Sequence, residues 1–211
     1  MTSASLIPLA SVTLINNSGV GQVLTDSITI PSLSFSRSAS DLIASSSFTI
    51  PAAYDIPLSP PQTLAIEYEG VVRFHGVVTD CSISWSEGIP STSIGASDFS
   101  YLLSHHLVPI LTADWQAVTG MVGPCDFGTL TAGGIVQALC GLCGITAGDL
   151  ITDSTSDIHS FAVGTTCLDA IMQLAESLGY TFFLYFTKET GVYYTKPFFG
   201  PFAEVDAAGV L

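Results

Sequence analysis

LAIEYEGVVRFHGVVTDCSISWSEGIPSTSIGASDFSYLL, Leu64 to Leu103, decides the fold class. Apolar and polar residues alternate through "LAIEYEG", "VVRFHGVVTDCSISWS" and "TSIGASD", the period of strands with one face buried. Gly70 and Glu87-Gly88-Ile89-Pro90 break the alternation where tight turns belong. After Asp98, placed to cap it, "FSYLLSHH" reads as a short helix.

The pattern extends upstream. "SVTLIN", "DSITIPSLSFSRS" and "SSSFTIP" are further short strands, separated by Asn17-Ser18-Gly19 and by the Pro57 to Pro61 stretch. Strands so close together, with no helices between them, predict an antiparallel sandwich or barrel. Residues 107–128 hold Pro109, Gly120, Gly123 and Pro124 and show no sustained period, so a linker or an ordered loop is expected there.

The remainder is α+β. "LTAGGIVQALCGLCGI" and "TTCLDAIMQLAESLGY" are short amphipathic helices, and "TFFLYFTKETGVYYTKP" is a hairpin turning at Glu189-Thr190-Gly191. When Thr131 is matched to Thr166, both helices begin at a capping threonine. Thirteen residues later both reach a glycine suited to the left-handed position, Gly144 or Gly179, followed by Ile145 or Tyr180. In this register Cys140 falls on Ala175 and Cys143 on Leu178, so the Cys140-Gly-Leu-Cys143 spacing is that of a packing face.

Composition narrows the function. Four Lys plus Arg stand against 18 Asp plus Glu, a formal net charge of −14, which disfavours binding to nucleic acid or to an anionic membrane. Only 10% of residues are charged, where about a quarter is usual, and partners are therefore expected to cover much of the surface. No apolar stretch approaches the roughly 20 residues of a membrane helix, and "MTSASLIPLASVTLINNSG" lacks the basic start of a secretory signal. Five cysteines, an odd number, are expected to be reduced thiols.

Catalytic signatures are weak. Zinc needs about four ligands, but there is no second Cys-x-x-Cys, and His105, His106 and His159 lack companion spacing. A thioredoxin-like pair belongs at a helix N-terminus, whereas Cys140 and Cys143 lie at a C-terminal end. No Gly-x-Ser-x-Gly elbow occurs, Cys125 has no evident histidine partner, and Gly133-Gly134 has no lysine nearby to make a phosphate loop. Glu67/Glu69 and Asp149/Asp153 are the acidic pairs that could serve as acid and base, but Glu67 and Glu69, at period two, are expected to share a solvated or lumen-facing strand face. Catalytic, cofactor-binding and metal residues are expected to be none. The alternatives are a cysteine- or metal-dependent enzyme around Cys140 and Cys143, and a host-surface adhesin using Trp85 and Trp115.

The order within residues 64–103 resembles the hub proteins of phage tails, the late control protein D family and the N-terminal part of siphophage tail-associated proteins. The elements that carry the likeness are a strand, a turn, Phe74-x-Gly76-Val77-Val78 opening a long strand, a second turn, and Ala96-x-Asp98 before a Leu-Leu helix. Upstream, Arg37-x-x-x-Asp41 precedes a Phe-x-Ile strand, and residues 161–197 look like the α+β domain inserted after that family's first barrel.

The resemblance implies a tail-tube-like barrel over 1–106, the connection 107–128, and an α+β domain with a terminal extension over 129–211. It further implies a homo-oligomeric ring, trimer or hexamer, in the virion tail or baseplate of a phage, made in the host cytoplasm. That ring would contact the tail tube or a distal tail protein and the tip or spike proteins, with DNA passing through an acidic channel. Glu67 and Glu69 are then the lumen-facing candidates, and Arg37 and Arg73 the interface candidates. Family members usually carry a second barrel after the α+β domain; "FFGPFAEVDAAGVL" stands about where it would begin, which leaves three or six subunits open.

Overall fold

The computed structural model describes residues 10–15, 21–24, 33–36, 43–51, 53, 62–109, 125–148, 150–152, 154–156, 158 and 160–201. They group into two compact units, Met1–Asp98 with Phe186–Tyr193, and Phe99–Tyr185 with Tyr194–Leu211.

The first unit is a seven-stranded sheet. Its strands are β1 (Ala10–Ile15), β2 (Gly21–Val23), β3 (Ser34–Ser36), β4 (Ser45–Ile50), β5 (Thr63–Tyr68), β6 (Val71–Ser86) and β7 (Ile89–Asp98), in the order β2-β1-β5-β6-β7-β4-β3. The neighbouring strands pair antiparallel. Alternation sends Val12 and Leu14, Phe48 and Ile50, Leu64 and Ile66, Phe74 and Val78, and Ile94 and Ala96 into one apolar core. The antiparallel β-rich class thus agrees with the sequence. The closed barrel does not appear among the described residues: the sheet has two ends, β2 and β3, which are three-residue strands not paired with each other. Closure requires a continuous ladder around the ring, and these two strands do not supply it.

Turn chemistry sets the register. Glu69 and Gly70 (φ 52° and 78°) and Glu87 and Gly88 (51° and 81°) each take left-handed conformations at both central positions, the type I′ geometry that matches strand twist. A bulge follows the first turn. Ile66 pairs with Phe74 but Glu67 with Val72, so Arg73 is the extra residue.

Gly76 and Asp98 are structural. A Cβ on Gly76 would lie 2.1 Å from the Ser97 carbonyl oxygen, so the adjacent strand backbone leaves no room for any side chain. Asp98 is buried; its carboxylate accepts from the Ala44 amide at 3.1 Å, and its own amide donates to the Ala44 carbonyl at 2.9 Å. The carboxylate expected to cap the short helix that follows ties β7 to the residue preceding β4.

The second unit holds α1 (Phe99–His105), α2 (Ala132–Leu142), α3 (Cys167–Leu178) and, apart from the hairpin tip Phe186–Tyr193, a three-stranded sheet in the order β8 (Leu150–Ile151), β10 (Val192–Gly200), β9 (Thr181–Glu189). The expected correspondence of α2 and α3 holds residue by residue. Thr131 accepts from the Gly134 amide and Thr166 from the Asp169 amide. Gly144 (φ 72°) and Gly179 (φ 67°) follow the helices, and the Ile145 and Tyr180 amides bond back to Cys140 and Ala175. Ala132, Ile135, Val136, Leu139 and Cys140 are buried, as are their counterparts Cys167, Ala170, Ile171, Leu174 and Ala175.

Of the segment 107–128, residues 110–124 lie outside the described residues. Its two ends are anchored: Leu107 bridges Thr166, and Asp126 bridges Ser160.

Candidate functional site

The first unit presents two distinct surfaces, a clamp and an arm. The clamp is built on Thr13, Ala65 and His75, which face one another across β1, β5 and β6 on the side opposite the apolar core. Residues Phe186–Tyr193, the tip of the β9–β10 hairpin, group with this unit and meet that row. The Tyr193 hydroxyl lies 3.4 Å from Thr13 Oγ1, and its ring centroid is 6.0 Å from that of His75. Lys188 Nζ reaches Glu67 Oε1 at 2.6 Å and sits over the Tyr193 ring, 4.7 Å from its centroid. The hydrogen bond to Glu67, with Tyr193 beside it, raises the Lys188 pKa above the usual value. Burial lowers the His75 pKa to about 4, so its ring is neutral at physiological pH.

The acidic pair separates. Glu67 is a strand residue engaged by Lys188, whereas Glu69 is the first central residue of the β5–β6 turn, with φ 52°. Glu67 and Glu69 therefore do not share a strand face at period two. The Glu69-Gly70 turn ends β5 at Tyr68, before Glu69, while the bulge opposite Glu67 lies in β6 at Arg73. Arg73 is exposed at the bulge, and Arg37 lies outside the described residues.

The arm is the continuation of β6 and β7. Beyond the Ile50–Thr92 pair the two strands run on as a two-stranded ribbon, with Ser84 opposite Ser91, Trp85 opposite Pro90 and Ser86 opposite Ile89. Ile83, Trp85 and Ile89 are 43%, 67% and 66% exposed. Ile83 and Trp85 share one face, while Ser84 and Ser86 take the other. Trp115 lies outside the described residues.

The remaining sequence candidates fall into structural roles. His105 Nδ1 and His106 Nδ1 donate to the carbonyls of Tyr101 and Leu102 at 2.8 and 2.9 Å, capping the end of α1. Cys125 is buried, and its thiol donates to the Val108 carbonyl at 3.7 Å. Cys140 is buried, and desolvation pushes its thiol up to about 12, which keeps it protonated. Gly133 and Gly134 lie in the first turn of α2, where the Gly134 amide is taken by Thr131. His159, Asp149 and Asp153 lie outside the described residues. Among the described residues no three His, Cys, Asp or Glu side chains converge as metal ligands, and no helix is long and apolar enough to cross a membrane.

Sequence reasoning missed the clamp. The signal was available only as the two Lys-bearing strands of the last hairpin, with nothing to say what they meet.

The fold is similar to that of two solved tail proteins. The chain is similar to the 43 kDa tail protein of prophage MuSo2 from Shewanella oneidensis, at a TM-score of 0.59 and 17% identity, over 90% of this chain and 55% of that one. It is also similar to a tail protein from Neisseria meningitidis MC58, at a TM-score of 0.57 and 12% identity, over 88% of this chain and 50% of that one. The chain thus spans about half the length of the tail proteins it matches. No family model and no curated protein matches the sequence.

Proposed function

We propose that this chain is a structural protein of a phage tail, a hub subunit that joins the tail tube to the tip. Copies assemble into a ring of three or six around an acidic channel through which DNA passes. The observation that carries this reading is the fold likeness to two tail proteins over about nine-tenths of the chain.

Three further features support it. The arm holds Ile83, Trp85 and Ile89 in water, an arrangement that favours burial against a neighbouring subunit or an adjoining tail protein. Between Cys81 and Ile94 the one charged residue is Glu87, so like-charged copies would meet there with little repulsion. With a net charge of −14, a ring would present carboxylates to its axis, and DNA, with one charge per roughly 1.7 Å, would slide through without lodging. Strands β2 and β3, at the two ends of the sheet, are where neighbouring copies would complete the ring.

Native mass spectrometry and electron microscopy of the purified chain test the reading. Rings of threefold or sixfold symmetry with a negative inner wall are expected. A stable monomer at micromolar concentration that also fails to bind a tail-tube protein would overturn it, and a basic inner wall would remove the channel while leaving the hub.

A further inference from the structure

β6 leaves apolar surface in water at both of its ends. At its start Val71 lies opposite Tyr68, the two being 49% and 39% exposed, and exposed Arg73 follows on the same strand. At its far end the arm holds exposed Trp85 and Ile89 on either side of Glu87. Trp85 lies opposite Pro90 and Ile89 opposite Ser86, so the two apolar side chains leave the ribbon on opposite faces. A flat surface laid on the arm would cover one and leave the other wet; a surface that receives the tip buries both.

The charges at the two ends match. Among the described residues Lys188 pairs with Glu67 and Lys196 lies over the Tyr194 ring, whereas Arg73, the extra residue of the bulge, has no ion pair. Glu87 at the arm tip has none either. A chain of net charge −14 repels its own copies over most of its surface, and a free guanidinium meeting a lone carboxylate offsets that repulsion where it matters. Glu69 in the β5–β6 turn and Glu189 in the hairpin tip are also exposed, so the match is one guanidinium with one carboxylate, not a basic field with an acidic one.

We propose that copies of this chain join head to tail: the arm tip of one copy docks on the Tyr68, Val71 and Arg73 end of the next, with Glu87 meeting Arg73. The two surfaces of one copy do not reach each other, because β6 runs for 16 residues between them, a span of up to roughly 50 Å at about 3.3 Å per residue. The contact, which rests on the ring assembly proposed above, is heterologous: each copy gives one surface and receives the other, and the chain of contacts closes into a ring where the rotation permits.

Sedimentation velocity of the full chain tests the contact, with circular dichroism as the check on folding. Arg73→Glu and Glu87→Arg should each weaken association at least about tenfold, and the two together should restore it. A copy with Arg73→Glu keeps its arm, and a copy with Trp85→Ser and Ile89→Ser keeps its receiving end; each alone is expected to be a monomer, and their mixture to give one-to-one pairs. A mixture of folded copies that stays monomeric overturns the head-to-tail contact. Wild-type rings that survive both single reversals overturn it while leaving the tail reading standing, and a monomeric wild type overturns it too, the tail reading falling only if that monomer also fails to bind a tail-tube protein. On the wild type alone, hydrogen exchange should slow at residues 68–73 and 83–89 together as concentration rises; protection of one end without the other would sink the proposal whether or not the variants fold.

Discussion

Lys188 Nζ lies 2.6 Å from Glu67 Oε1, although 121 positions separate them in the chain (188 − 67). The pair fixes the hairpin tip to β5, and Tyr193 is held in the same contact through the Lys188 ammonium over its ring and the Thr13 hydroxyl at its own. Lys188 is 37% exposed, so the ion pair is partly screened by solvent. Glu67→Gln and Lys188→Met should each destabilise by about 0.5–1 kcal/mol, and a double-mutant cycle by urea unfolding should give a coupling of about 0.2–1 kcal/mol. A coupling of zero would mean that the tip is held by its other contacts, among them Tyr193 and the Phe186 ring 6.2 Å from that of Phe74.

Gly76 faces the tightest approach in the sheet. Gly76→Ala would place a methyl 2.1 Å from the Ser97 carbonyl oxygen, where backbone rather than a flexible side chain must yield. A loss of at least about 3 kcal/mol is expected, read as a shifted denaturation midpoint or as failure to fold. Gly70→Ala meets no atom within 4 Å and carries only the strain of φ 78°, so it should cost about 1 kcal/mol.

His75 makes stability depend on pH. Its pKa falls from 6.5 in the unfolded chain to about 4 in the fold through burial, so between those values the unfolded state binds more protons. Stability contributed by neutral His75 is present above pH 6.5 and lost as pH falls toward 4, about 3 kcal/mol in all. His75→Gln should flatten the stability profile between pH 6.5 and 5, above the range where most carboxylates titrate. An unchanged slope would show that other groups set it.

The two helix caps differ in strength. Thr166 accepts from the Asp169 amide and donates its hydroxyl to the Asp169 carboxylate at 2.7 Å, while Thr131 accepts only from the Gly134 amide at 3.2 Å. Thr166→Ala should therefore cost about 1–2 kcal/mol and Thr131→Ala about 0.5–1 kcal/mol, measured by chemical denaturation.

The arm predicts a separation of assembly from folding. Trp85→Ser with Ile89→Ser removes exposed apolar surface from a two-stranded ribbon and should leave the thermal midpoint within about 2 °C, because such surface substitutions shift stability little. Ring formation should be lost, as read by native mass spectrometry. Intact rings would place the interface elsewhere.

The strands, the helix caps and the hairpin turns were legible in the sequence because they are local. Val12 and Leu14, Leu64 and Ile66 point inward because strand side chains alternate every two residues. Thr131 and Thr166, Gly144 and Gly179 act within one helical turn. The tertiary structure alone decided the rest. The β5–β6 turn takes Glu69 out of the strand that holds Glu67, because where β5 ends depends on which backbone the partner strand presents. Lys188 met Glu67 because side chains far apart in sequence are brought together by packing that no short spacing encodes.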